Sequence, residues 1–249
     1  MKIALILTSG GTRGAFQVGV LKTFVKKNII PNAIIATSIG TINGAKFSST
    51  ANFKKSVLEL EKGWLKATSR QCFPIKLKLN SFNPSFYSIK GLRNLAHTLF
   101  SARKFEDLKI PFYVHCITQE QEKDVFFDKG NLIDPILASC SVRPYFPPYE
   151  FNGVRYIDGC SNKYFGIKKA ISLGCDRAIL VDSIPRKIGF NSENLDIILD
   201  DKAIKKFKEK VLIIEPSKKF NINRKNFRNI SKMIEDGELQ SKKILKNFL

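Results

Sequence analysis

The 249-residue chain is 43% hydrophobic, enough to bury one sizeable core, and the expectation is a single domain over 1–249. Its five cysteines (Cys72, Cys116, Cys140, Cys160, Cys175) are odd in number and form no C-x-x-C pair, which argues against a disulfide framework or a zinc site. The formal net charge of +20 suits anionic partners, while no apolar run approaches the ~18 residues of a membrane span, so an intracellular, cytoplasmic protein is expected.

Ile3-Ala4-Leu5-Ile6-Leu7 is an unbroken apolar run that predicts a buried strand. It is shorter than a signal-peptide core and leads into a glycine loop, not a cleavage site. The loop is Ser9-Gly10-Gly11-Thr12-Arg13-Gly14. Beyond it Phe16, Val20, Leu21, Phe24 and Val25 recur at helical spacing. Strand, glycine loop and helix present backbone N–H groups to an anion. A dinucleotide fingerprint would need glycine at position 9 and an acidic residue about 20 positions on, but Ser9 stands there and Glu59 is the first acid. No Gly-Lys-Ser/Thr closes the loop either, so an oxyanion hole is the stronger reading than a phosphate cradle.

The next strand signal, Ala33-Ile34-Ile35-Ala36, runs into Ser38, and a helical segment with Gly40, Gly44 and Ala45 follows. Strand, sharp turn and helix with serine at the tip is a nucleophile-elbow arrangement. The same serine could instead cap the helix. Asn52 to Ala67 predicts a helix. Thr68 to Ser88 breaks any period with Phe73-Pro74, Phe82-Asn83-Pro84 and Phe86-Tyr87, and reads as an ordinary crossover or a lid. A helix is expected over Gly91 to Ser101, and strands over Pro111 to Thr118 and Asp124 to Phe127 with a polar hairpin turn between them. Asn131 to Cys140 predicts a short helix, and Gly153 to Gly159 a strand that leaves Asp158 at its end. Two buried strands follow at Ala178–Val181 and Val211–Ile214, with a helix between them around Leu195-Ile198-Leu199. Lys225 to Phe248 predicts a long basic amphipathic helix. Alternating strands and helices imply an α/β fold with a mainly parallel central sheet flanked by helices.

Basic residues outnumber acids at both ends of the chain. Residues 1 to 58 hold eight Lys/Arg and no acid, and Lys202 to Leu249 hold fourteen against five, a net +9. Such a surface attracts anionic lipid headgroups or nucleic acid, but the charges are dispersed and read equally well as compositional. The only histidines are His97 and His115. No histidine follows Asp158, so a Ser, acid, His order along the chain cannot be filled.

Four blocks, in order, resemble the patatin-like phospholipases. Ser9 to Gly14 corresponds to their Gly-Gly-Gly-x-Arg/Lys-Gly, and Ala36 to Gly40 to their G-x-S-x-G. Ala138-Ser139-Cys140-Ser141-Val142-Arg143-Pro144-Tyr145-Phe146-Pro147-Pro148 and Asp158-Gly159-Cys160 match the third and fourth. The resemblance covers residues 3 to about 183. It implies a three-layer patatin-like fold and a Ser-Asp dyad in which Ser38 is the nucleophile and Asp158 the base. The loop Gly10, Gly11, Thr12, Arg13 and Gly14 would hold the oxyanion, Gly40 and Gly159 would support the two turns, and neither metal nor cofactor is implied. Tyr156, Ile157, Tyr164 and Phe165 are expected to shield Asp158 from water. Three departures stand out: Ser9 removes freedom at positive φ from one loop position, Ala36 adds a methyl at the elbow, and Lys163-Tyr164-Phe165-Gly166 lacks the family's later proline. The expected activity is hydrolysis of phospholipid or lysophospholipid esters, with peripheral contact to an anionic membrane. The alternatives are a general carboxylesterase and a catalytically silent basic membrane-surface protein. No recognition motif supports nucleic acid as the partner.

Overall fold

A computed structural model of the chain describes residues 1–75, 85–161, 165–184, 207, 209–217 and 227–247. The helix expected around Leu195–Leu199, the centre of the aromatic segment (76–84) and Lys163-Tyr164 lie outside the described residues.

Eight strands are described: β1 (Ile3–Leu7), β2 (Ala33–Ala36), β3 (Phe112–Thr118), β4 (Asp124–Phe127), β5 (Tyr149–Phe151), β6 (Val154–Asp158), β7 (Arg177–Val181) and β8 (Val211–Ile214). They form one sheet in the order β5-β6-β3-β2-β1-β7-β8, with β4 paired to β3. The run β3-β2-β1-β7-β8 is parallel, and β4, β5 and β6 add antiparallel pairs. The apolar runs of β1, β2 and β7 are buried on both faces, as a parallel sheet covered by helices requires. Side chains alternate between the faces. Ile3, Leu5 and Leu7 join the larger core, and Ala4 and Ile6 join the smaller one with Phe165, Ile167 and Ala170.

The helices are α1 (Ala15–Lys26), α2 (Ile39–Ser48), α3 (Phe53–Lys66), α4 (Ser69–Cys72), α5 (Lys90–Leu99), α6 (Ile133–Ser139), α7 (Phe165–Ser172) and α8 (Ile230–Ile244). The sequence reading did not anticipate β5, α4 or α7. The basic C-terminal helix is α8, and its inner face is packed on α1. Backbones meet there: a Cβ on Gly19 would lie 2.0 Å from Ile234 O, and one on Gly237 2.0 Å from Phe16 O. Thr23 Oγ1 accepts a 2.7 Å hydrogen bond from Ser241 Oγ across the same contact. Glu238 receives Lys26 at 2.5 Å and Lys242 at 2.8 Å. Burial opposes its ionisation, but the lysine hydrogen bonds win and hold its carboxyl at about 2.

One feature of the sheet positions the site. Val114 of β3 pairs with Ala36 of β2 on one edge and Phe127 of β4 on the other. Cys116 pairs with Val125 of β4 and Asp158 of β6. A residue has two edges, so β6 lies on the edge that β2 has just vacated. The end of β6 therefore points at the end of β2. No described helix is long and apolar enough to cross a membrane.

Candidate active site

At the end of β2 the backbone reverses at Ser38, with φ 54° and ψ −132°. This left-handed conformation costs a non-glycine residue about 1–3 kcal/mol and persists only where the surroundings hold it. Ser38 occupies the N-cap position of α2, yet its side chain makes no capping hydrogen bond. The helix-cap reading therefore fails. The hold comes from neighbours: Ser38 N–H donates to Ser139 Oγ (2.8 Å), and that hydroxyl donates to His115 O (2.7 Å). Thr41 Oγ1 donates to Ser38 O at 2.6 Å. Gly40 lets α2 start against β1, since a Cβ there would lie 2.4 Å from Leu7 O. The Ala36 methyl is fully buried in the sheet, between Leu7 and Val114.

The glycine loop leaves β1 beside this turn. Gly10 is extended (φ 169°), a 3-10 turn spans Gly11–Gly14, and the positive φ falls at Gly11 (59°). Ser9 is not a positive-φ residue, so the serine there sacrifices no needed freedom. Arg13 N–H donates to Gly10 O (3.2 Å). The Arg13 side chain is buried, with Nε 3.4 Å from the same carbonyl, which makes it a brace of the loop. A buried polar chain fastens the loop to its neighbours. Gln17 Nε2 donates to Thr8 O (2.7 Å), while Asn43 Nδ2 donates to Gly14 O and Gln17 Oε1 (2.9 Å each). Trp64 Nε1 donates to Asn43 Oδ1 at 2.9 Å.

Asp158 is 4% exposed, with its N–H on Ser141 O (3.2 Å) and its Oδ1 accepting from Cys160 N–H (2.8 Å). Burial first, and then the nearby Asp158 charge, push the Cys116 and Cys140 thiols well above their usual range, which keeps them neutral. Gly159 passes close under the site: a Cβ there would lie 2.2 Å from His115 Nδ1 and 3.0 Å from Thr37 Oγ1. His115 is fully buried, 2.7 Å from Asp124 Oδ1 through Nε2, and stacked on Phe165 at 4.4 Å. His97 is exposed on α5.

Ser9, Gly10, Gly11, Thr12, Ser38, Asp158 and Cys160 line one cavity; Arg13 and Gly14 are outside its lining. The remaining wall is apolar. Ile39 and Ile42 come from α2, Leu60 and Trp64 from α3, Leu92, Leu95 and Leu99 from α5, and Val142, Tyr145 and Phe146 from the loop after α6. Phe73 and Phe227 also line it, with Phe73 5.6 Å from Phe146 and 6.3 Å from Phe227 between ring centroids. Tyr156, Ile157 and Phe165, expected to shield Asp158, are not in this lining, and Tyr164 lies outside the described residues. The aromatic segment contributes at its ends, through Phe73 in the wall and Tyr87 packed at 5.4 Å from it. Sequence reasoning missed Gln17, Asn43, Trp64 and the role of Ser139. Their signal was a polar residue set among apolar helix positions.

A family model described as patatin-like phospholipase matches residues 5–162. The chain is similar to patatin-like phospholipase domain-containing protein 7 of Mus musculus, 28% identical over 182 residues, covering 72% of this chain and 13% of that protein. It is also similar to lysophospholipase NTE1 of Candida albicans (strain SC5314 / ATCC MYA-2876), 25% identical over 183 residues with the same shares. The chain thus spans about an eighth of the length of these relatives. In fold it is similar to VipD from Legionella pneumophila, with a TM-score of 0.53 at 10% identity, covering 98% of this chain and 67% of that one.

Proposed function

The chain belongs to the patatin-like phospholipase family, and from that premise we propose that its 249 residues are one lipid acyl hydrolase domain with Ser38 as nucleophile and Asp158 as base. The observation that carries this reading is the conjunction at one cavity. A serine held at φ 54° without a capping bond and a buried carboxylate open onto the same apolar space.

In the proposed reaction Ser38 Oγ attacks the ester carbonyl carbon and its proton passes to the Asp158 carboxylate. The carbonyl oxygen becomes an oxyanion facing the Gly10, Gly11 and Thr12 segment. The first N–H groups of a helical turn have no intrahelical acceptor, and each such donor is worth about 2.7–4 kcal/mol in a transition state. The tetrahedral intermediate collapses, the C–O bond to the alcohol breaks, and Asp158 returns the proton to the leaving oxygen. Water then attacks the acyl-serine while Asp158 takes its proton. The second tetrahedral intermediate collapses, the acyl–Oγ bond breaks, Asp158 returns the proton to Ser38 Oγ, and fatty acid leaves. The apolar wall suits the acyl chain, and Asp158 is the only Asp, Glu, Lys or Arg in the lining among the described residues, so a charged headgroup belongs outside it.

The test is fatty-acid release from a short-chain ester and from mixed phospholipid vesicles by wild type, Ser38→Ala and Asp158→Asn. Release by wild type alone is expected. Equal release by all three would place the chemistry elsewhere.

A further inference from the structure

We infer that the outer face of α3 is the surface by which this protein docks on an anionic phospholipid bilayer, a reading that rests on the lipid hydrolase proposal and adds the partner surface. The helix has two working faces. Leu60 and Trp64 look inward and line the cavity. On the opposite side, at spacings of four, four and three residues, stand Lys54, Leu58, Lys62 and Leu65, flanked by Lys55 and Lys66. All six are exposed, Leu58 at 48% and Leu65 at 55%.

The acids of α3 do not neutralise this stripe. Glu61 is drawn to Lys22 on α1 (2.7 Å), and Glu59 to the nearly buried Lys46 on α2 (2.5 Å). Glu59 reaches Lys55 only at 4.0 Å. Lys54, Lys62 and Lys66 make no ion pair among the described residues. Lysines bracketing exposed leucines match the interfacial pattern in which the apolar side chains enter the acyl boundary and the cations meet phosphate. A single helix then has lipid on one side and the cavity on the other, so a lipid leaving the bilayer need travel only around α3. Leu239 on α8 is also exposed beside Lys242 and Lys243, but Lys242 is held by Glu238 (2.8 Å) and no residue of α8 lines the cavity, so that face offers no such coupling to the site.

The test uses the full chain and sedimentation with vesicles of equal parts phosphatidylcholine and phosphatidylglycerol. Lys62→Gln/Lys66→Gln is compared with Lys243→Gln/Lys246→Gln, which removes the same charge from exposed positions at the end of α8 and in the 3-10 turn after it. Each lysine near an anionic surface is worth about 5-fold in affinity, so the α3 pair should lose about 25-fold. The control pair should lose far less. Leu58→Ser/Leu65→Ser should weaken binding without altering its salt dependence. Equal losses in the two lysine pairs would overturn the inference, leaving net charge as the cause. So would vesicle binding that is absent while a short RNA binds through the same lysines. A soluble short-chain ester separates this inference from the hydrolase reading. The α3 variants should hydrolyse it as wild type does. If wild type is inert toward that ester but vesicle binding still maps to α3, the hydrolase reading falls and the docking face stands.

Discussion

Ser139 is the residue on which the elbow depends most directly, and Ser139→Ala isolates that dependence. Its fully buried hydroxyl accepts from Ser38 N–H at 2.8 Å and donates to His115 O at 2.7 Å. The variant leaves the N–H of Ser38 without this acceptor, while His115 O keeps a longer contact from Thr37 Oγ1 (3.4 Å). A buried donor stripped of its acceptor costs about 1–3 kcal/mol, and the second bond adds about 0.5–1.5 kcal/mol. The loss should therefore be about 2–4 kcal/mol, or a fall in Tm of about 4–8 °C for a chain of this size. Part of it will appear as relaxation of Ser38 toward an unstrained φ, with turnover falling by about 10²-fold. Ser141→Ala is the internal control, because among the described residues that buried hydroxyl bonds only back to Leu137 O (2.9 Å), and its removal should cost about 1 kcal/mol or less. Urea denaturation and ester turnover on both variants read the difference. If Ser139→Ala matches Ser141→Ala in both assays, the elbow is held by something other than this bond.

Three further outcomes are expected. Gly159→Ala places a methyl 2.2 Å from His115 Nδ1, so turnover should collapse, and the double variant with His115→Ala, which makes room, should recover part of it; unchanged turnover in the single variant would contradict the described turn. Gly19→Ala meets the backbone of α8 at 2.0 Å and should destabilise by about 3 kcal/mol or more in thermal melts, whereas a wild-type Tm would show that α8 is not seated on α1 as described. Glu238, with its carboxyl held at about 2 against an ordinary 4.5, contributes stability that is fully present above about pH 4.5 and is lost as pH falls toward 2. Glu238→Gln should therefore lower Tm at neutral pH and converge with wild type on acidification; a gap that persists unchanged to pH 2 would count against the lysine cluster.

The parts of the fold readable from sequence were those whose signals are local. Five apolar residues before a glycine loop are enough to predict β1, and the boundaries of α3, β3, β4 and β8 agree with the structure to within a residue or two. Ser38 and Asp158 carry short-range marks, an elbow and a strand-end Asp-Gly, but each mark alone fits a helix cap or a plain turn, and the four-block resemblance is what singled them out. The bonds that hold them left none. Ser139 meets Ser38 across 101 positions, and Asn43 meets Trp64 across 21, so nothing within a helix-length window reports either contact. The expected cost at Ser9 was a misplacement by two residues, since the positive φ belongs to Gly11. Reading α8 as a basic amphipathic helix overlooked Gly237, whose position inside a helix was the available sign of a close backbone approach. The cavity wall beside Asp158 comes from the loop after α6, which its own sequence neighbourhood does not reveal.

The shared edge of β3 makes that strand a ruler for the proposed dyad. Ser38 is indexed to it through Ala36 and Val114, and Asp158 through Cys116, so the offset between nucleophile and base is counted in peptide units along one piece of backbone. The exposed turn Glu120–Lys123 between β3 and β4 can change in length or composition without altering that count, whereas the later stretch carries Ser139 and part of the cavity wall. A shift of β6 by a single residue, by contrast, would turn Asp158 to the opposite face of the sheet, because side chains alternate. Length changes in that turn should thus be tolerated, while any deletion within Val154–Asp158 should silence the protein even if it still folds.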